Sequence, residues 1–257
     1  MPTARAVLVL GMHRSGTSAL ARGLSALGVE LGNDFLVAQA ENPTGYWEDK
    51  NLVALDDRVL HTLGLRWDSV SRIERSEFER RRVRALQGET ARYCRRTFAA
   101  APLWGFKDPR ALRILPFWRS VLEDSGAQES YLVAIRNPRS VASSLFERQK
   151  MDPDVACRLW LVHMVPFFGE LLSQPIIVVD YDLLMQDPRL QMMRISERLR
   201  TPVTGDAAAV DRFVADFLDM QLRHTTFSLD DLDERTPAAR LTRDAYLQLY
   251  ELATDRQ

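Results

Sequence analysis

The sequence predicts an α/β fold, a parallel sheet flanked by helices in a single domain over residues 1–257, and three observations predict it. Short apolar runs recur at Arg5 to Gly11, Leu103 to Phe106, Tyr131 to Ile135 and Pro175 to Val179. Each run leads through a polar turn into a helical pattern, the alternation that builds a parallel sheet covered by helices. The 257 residues are 46% hydrophobic and 27% charged, enough to bury the core of one large domain.

The elements follow in chain order. The run Arg5 to Gly11 reads as a fully apolar strand, and Ser15 to Leu27 has the apolar spacing of a helix ending near Gly28. Helices are predicted at Asp49 to Leu63, Ser76 to Phe98, Ala111 to Asp124, Pro138 to Arg148, Asp154 to Leu172 and Asp206 to Leu222. Between Gly28 and Asp49 the pattern is irregular, with Gly32, Asn33, Asn42, Pro43 and Gly45, a loop of the length that often carries function. The Arg- and Glu-rich stretch Glu74 to Arg96 reads as a solvated helix face.

Composition excludes several classes. The formal net charge of −1 provides no global field to hold nucleic acid or an anionic membrane, so an anion site has to be local. Cys94 and Cys157 have no metal or disulfide spacing. The run Ala6 to Met12 is too short for a signal sequence or a membrane span, and the expectation is a soluble, cytoplasmic protein with no stable membrane insertion. The only lysines are Lys50, Lys107 and Lys150, which makes each worth examining.

The chemistry starts at Gly11-Met-His-Arg-Ser-Gly-Thr-Ser18, where an apolar strand turns into a helix. Backbone N–H groups converge there and the helix dipole adds partial positive charge, a P-loop-like setting for an anion. A triphosphate loop of the form GxxxxGK[ST] needs lysine after the second glycine, and this chain has Thr17. It carries instead Arg14 at the crest with hydroxyls from Ser15, Thr17 and Ser18, a set suited to a 5′-phosphosulfate. A second anion site follows the strand Tyr131 to Ile135, where Arg136-Asn-Pro-Arg-Ser140 opens a helix that continues to Ser144. Two separate anion sites suit a bisphosphorylated nucleotide better than a linear triphosphate. Both loops would sit at the carboxyl ends of the strands.

The string His13-Arg14-Ser15-Gly16-Thr17 resembles the phosphosulfate loop of sulfotransferases that use 3′-phosphoadenosine-5′-phosphosulfate (PAPS), with His13 where proline is usual. The resemblance covers about residues 6 to 190 and extends to a Golgi-type or tyrosylprotein-like branch. It implies that Arg136 and Ser144, eight positions apart, hold the 3′-phosphate, and that His13 to Ser18 hold the 5′-phosphosulfate. Asp180-Tyr-Asp-Leu-Leu184 with Asp187-Pro188 resembles a further family element of mostly structural role. Lys107, in Gly105-Phe-Lys-Asp-Pro-Arg110, resembles a catalytic lysine on the leaving-group side, with an ion pair to Asp108 as the plain alternative. Arg14 and Ser144 would help neutralise the leaving group.

A base is also needed. In this branch it is a glutamate after the first helix, which leaves Glu48 and Glu41; Glu48 is favoured because Tyr46 and Trp47 could form an apolar wall that raises its pKa. His61 and His163 fall in helical patterns, and His224 has no assigned role. The expected activity is metal-independent transfer of a sulfuryl group from PAPS to a hydroxyl of a small-molecule or glycan acceptor, by preference a carbohydrate or glycolipid. The alternative is a P-loop small-molecule kinase using Mg-ATP, with Ile176 to Asp180 as its magnesium strand; the missing lysine weighs against it.

Overall fold

The computed structural model describes residues 4–39, 45–200, 207–217, 227–232 and 235–255. Four parallel strands form the sheet: β1 (Arg5–Leu10), β2 (Leu103–Lys107), β3 (Gln128–Ile135) and β4 (Ile176–Asp180), in the order β2-β1-β3-β4. Val9 pairs with Lys107, Leu10 with Val133, and Ile135 with Asp180. The apolar runs are continuous because both faces of the sheet are covered. Residues Ala6 to Leu10 are all fully buried, and their alternation divides them between two cores. Ala6, Leu8 and Leu10 enter the larger core, while Val7 and Val9 enter the smaller one. Burying a valine or leucine at such a position contributes roughly 2 kcal/mol.

Helices form the outer layers. On the smaller face lie α1 (Thr17–Ala26) and, later in the chain, the helix at Pro188–Leu199. The larger core is built with α2 (Lys50–Thr62), α3 (Arg81–Thr97), α4 (Leu115–Ser125), α5 (Pro138–Gln149) and α6 (Pro153–Met164). The short helices α7 (Phe168–Leu171) and α8 (Tyr181–Gln186) flank β4, α9 is Pro188–Leu199, and α10 is Ala207–Arg212. The last helix, α11 (Pro237–Ala253), packs Tyr246 and Leu249 into the larger core.

The four predicted strands are all present, and the helix boundaries differ where local chemistry decides. The span Ser76 to Phe98 is broken because Arg80 is extended (φ −60°, ψ 136°), separating a 3₁₀ turn at Arg75–Glu79 from α3. The helix expected from Ala111 begins only at Leu115, with Pro116 in its first turn. The span Asp154 to Leu172 ends at Met164, where Pro166 removes a donor and blocks continuation. Of the span Asp206 to Leu222, α10 and a π-turn at Phe213–Phe217 are formed, and the remainder lies outside the described residues. The sequence reading drew no helix at α8, α9 or α11.

Asp180 ends β4 and fastens three elements. Its Oδ1 accepts from the backbone N–H groups of Asp182 and Leu183, capping α8, and its Oδ2 accepts from the Tyr246 hydroxyl of α11 at 2.9 Å. Burial, reinforced by the Asp182 charge, pushes its pKa up to about 6. A raised carboxyl pKa means that the native state binds the proton more tightly than the unfolded chain. The resulting stability is therefore present below about pH 4 and is lost as pH rises through about 6. An amide can keep the cap and the tyrosine contact without the buried charge. Asp180→Asn is expected to gain about 1–3 kcal/mol at pH 8 and to flatten the pH dependence between about 4 and 6, as measured by urea unfolding across that range.

Candidate functional site

The strand order places a topological switch point between β1 and β3, since the chain leaves β1 for β2 on one side and later adds β3 and β4 on the other. Crevices at such points, outside the carboxyl ends of the strands, are where open α/β sheets bind ligands. The loop after β1 and Arg136 after β3 both open onto this crevice. Gly11 is required there: at φ +133°, an added Cβ would lie 2.4 Å from the Ala134 carbonyl oxygen of β3.

Within the loop, Arg14 takes a left-handed conformation (φ 67°), a strain of about 1 kcal/mol that is characteristic of sites over-determined by their surroundings. Its Nε donates to Ser144 Oγ of α5 at 2.8 Å, and Arg136 Nη1 donates to the Arg14 carbonyl at 3.2 Å. These two bonds join the two anion loops of the sequence into one site. Gly16 is the N-cap of α1 and brings no side-chain cap, so first-turn N–H groups remain for a ligand. The Oγ atoms of Ser15 and Ser140 are buried with no hydrogen-bond partner among the described residues. Thr17 is buried in the first turn of α1, and Ser18 Oγ donates to the Tyr46 carbonyl at 3.1 Å.

Tyr181, which the sequence places in an element of structural role, lies against both loops. An added Cβ on Gly16 would lie 2.2 Å from the Tyr181 ring, and the Arg136 guanidinium sits 4.7 Å from its centroid. The ring is the wall between the two anion loops. The available signal was its place directly after a strand end, where the other site residues also fall.

Beside the first loop, β2 ends in Lys107, 3% exposed. Its ammonium pairs with Glu48 Oε1 and donates to the Tyr46 carbonyl at 3.2 Å and Ser18 Oγ at 3.3 Å. Glu48 is 6% exposed and lies just before Asp49, which caps α2. Lys107 and Glu48 thus meet at the crevice, whereas Glu41 lies outside the described residues. The Glu48 carboxylate has charged partners on both of its oxygens. The Trp47 ring packs 5.4 Å from Phe35 with Arg22 above it at 5.1 Å, Tyr46 contributes its carbonyl, and the charged neighbours of Glu48 are Lys107 and Arg110. Lys107 pairs with Glu48; Asp108 is taken by Arg110 instead.

His13 packs its ring 4.6 Å from Trp67 and 5.9 Å from His163. Burial, with smaller effects from His163, Arg110 and Lys107, holds its pKa well below the usual imidazole value, so His13 is a neutral part of the loop. His163 is a core residue: Nδ1 donates to the Leu159 carbonyl at 2.8 Å, and burial lowers its pKa to about 3. His61 is exposed on α2, and His224 lies outside the described residues. Arg139 rests on Phe227 and donates to the Asp231 carbonyl. Among the described residues no helix is long and apolar enough to cross a membrane, and no cluster of metal-ligating side chains occurs.

The two loops that follow β1 and β3 thus meet at a switch point with a buried lysine and carboxylate beside them, a setting suited to an anionic ligand and acid–base chemistry. The model of the Sulfotransferase family matches residues 6–205, and the chain belongs to that family: it is a sulfotransferase. No curated protein matches the sequence. The fold is similar to the sulfotransferase domain of the Synechococcus PCC 7002 olefin synthase, with a TM-score of 0.56, 16% identity and 96% of each chain covered. It is also similar to the sulfotransferase domain from the curacin biosynthetic pathway, with a TM-score of 0.54 and 17% identity over 97% of this chain and 99% of that one.

Family membership implies PAPS as the sulfuryl donor. The residues present fit it. Among the described residues two buried serine hydroxyls lack partners, the first turn of α1 has no side-chain cap, and the space over Gly16 is closed by an aromatic ring rather than an acid.

Proposed function

We propose that this sulfotransferase moves the sulfuryl group of PAPS to a hydroxyl of a carbohydrate or glycolipid acceptor without a metal ion, as a single domain of the Golgi-type or tyrosylprotein-like branch. The observation that carries the donor assignment is the hydrogen bond from Arg14 Nε to Ser144 Oγ, which holds the two anion loops at a fixed separation across the switch point. A ligand with separate 3′ and 5′ groups can engage both.

In this reading residues His13 to Ser18 hold the 5′-phosphosulfate and Arg136 with Ser144 the 3′-phosphate. Glu48 accepts the proton of the attacking hydroxyl as its oxygen bonds to sulfur. The bond from sulfur to the phosphate oxygen breaks, and Lys107 and Arg14 stabilise the negative charge left there. The lysine and the carboxylate are already in contact, which keeps the base for the entering hydroxyl and the cation for the departing oxygen at one crevice. The preference for a sugar hydroxyl rests on the family resemblance, and of the aromatic residues Tyr46, Trp47, Trp67 and Trp104 it is Trp67 that lies beside the first loop, 4.6 Å from the His13 ring.

Isothermal titration with 3′,5′-adenosine bisphosphate and, separately, with Mg-ATP tests the donor assignment. Micromolar binding of the bisphosphate, about −8 kcal/mol, is expected. Binding of Mg-ATP alone would overturn the assignment of the two loops to a 3′,5′-bisphosphorylated donor.

A further inference from the structure

Glu48 belongs to a segment without regular structure, Gly45 to Glu48, that leads into α2. Its backbone carbonyl accepts from Leu36 N at 2.9 Å, but that bond leaves the carboxylate free to rotate. A base for in-line transfer has to be held more tightly than this. Lys107 does not suffice as the holder, because during transfer it must serve the departing oxygen.

A second cation lies on the other side of the carboxylate. Arg110 Nη2 is 3.6 Å from Glu48 Oε2, and the guanidinium itself is clamped. Its Nε and Nη2 donate to the two oxygens of Asp108 at 2.8 and 2.9 Å, and its own backbone N–H donates to Asp108 Oδ1 at 2.8 Å. From the rim, Asp57 of α2 accepts from Nη1 at 3.0 Å. Burial works against the arginine's charge, and Asp108, Asp57 and Glu48 together overcome it and raise its pKa. Behind Asp108 sits Asp56, fully buried, accepting from Trp118 Nε1 at 3.2 Å. Burial and the Asp108 charge push the Asp56 pKa well above the usual carboxylate range.

We propose that Arg110 is the positioning residue for Glu48: the guanidinium, fixed by Asp108 and Asp57, holds one carboxylate oxygen in place so that Lys107 can leave the other and turn to the departing group. This rests on the assignment of Glu48 as base and Lys107 as acid. A structural Arg110–Asp108 pair would be complete without the third carboxylate. With it, Glu48 keeps a counter-charge throughout transfer, and its side chain is referenced to the same turn that carries Lys107.

The scarcity of lysine makes this measurable without knowing the acceptor. With ¹⁵N in lysine side chains only three ammonium groups are observed. Lys50 and Lys150 are exposed and exchange with water quickly, so the buried Lys107 gives the persistent signal. In Arg110→Met the Lys107 ammonium protons are expected to exchange roughly tenfold faster as Glu48 is released. Arg110→Gln should not rescue the signal, because an amide has no charged fork to engage Asp108 and Glu48 together. Should Arg110→Met fail to fold, the double variant Arg110→Met, Asp108→Asn removes both members of the buried pair and is expected to show the same fast exchange. Asp56→Asn, an isosteric neutral replacement, should leave the signal unchanged. Unaltered Lys107 exchange in a folded Arg110 variant would overturn the proposal. Binding of 3′,5′-adenosine bisphosphate is measured alongside and should stay within about twofold. Its absence in the unmodified protein would remove the donor assignment while leaving the Lys107 exchange to judge Arg110 separately.

Discussion

Lys107→Met is expected to lower kcat for sulfuryl transfer about 10³-fold while leaving the affinity for 3′,5′-adenosine bisphosphate within about threefold. The lysine is placed to stabilise charge that exists only as the donor bond breaks, so its loss belongs to the transition state rather than to binding. Release of the bisphosphate from PAPS, followed with a panel of glycoside acceptors at saturating donor, reads the first quantity, and titration reads the second. The single variant also leaves Glu48, 6% exposed, with Arg110 as its remaining cation, and breaking a buried pair in this way destabilises a fold by about 3–5 kcal/mol. The double variant Lys107→Met, Glu48→Gln separates the two effects. It should recover most of the lost stability and none of the lost activity. Glu48→Gln alone is expected to cost about 10²- to 10³-fold in kcat, and the double variant should be much less impaired than the product of the singles, because the two groups act on one proton and one leaving group. A proportionate loss of bisphosphate affinity in Lys107→Met would mean that the lysine binds the ground state, and the catalytic role would fall.

What could be read in the sequence was what local chemistry writes there. The sheet was legible because strands buried on both faces are apolar without interruption, as Ala6 to Leu10 are. The two anion loops were legible because glycine, arginine and serine at a strand end act through nearby backbone, and that grouping is contiguous in sequence. Arg110 was quoted in the string after β2, but its partners Asp57 and Glu48 come from a distant loop and helix, and no periodicity announces such a contact. Trp47 turned toward Phe35 and Arg22 for the same reason: its rotamer is settled by tertiary packing. Apolar helical spacing runs on both sides of Val165-Pro166, so periodicity alone carries the predicted span across a proline that ends α6. α11 was missed because its apolar face, including Tyr246 and Leu249, is mixed with charged residues such as Arg240 and Asp244.

Arg136→Ala is expected to weaken 3′,5′-adenosine bisphosphate by about 10²-fold, roughly 3 kcal/mol, the scale for losing a charge-assisted contact to a phosphate in a shielded site. The informative comparison is with adenosine 5′-monophosphate, which lacks the 3′ group. If Arg136 reads the 3′-phosphate, the unmodified protein should prefer the bisphosphate strongly and the variant should bind the two ligands almost equally, the signature of a specific pairwise coupling. Arg136 also donates to the Arg14 carbonyl and lies over the Tyr181 ring, so its removal could instead loosen the first loop. That mechanism would weaken both ligands by the same factor and leave the preference intact. Arg136→Lys distinguishes further: it keeps a charge near the phosphate but loses the planar fork, so partial recovery of the preference points to charge and none points to the fork. Equal losses for both nucleotides would move the 3′-phosphate away from Arg136 and leave the second anion loop without its assigned ligand.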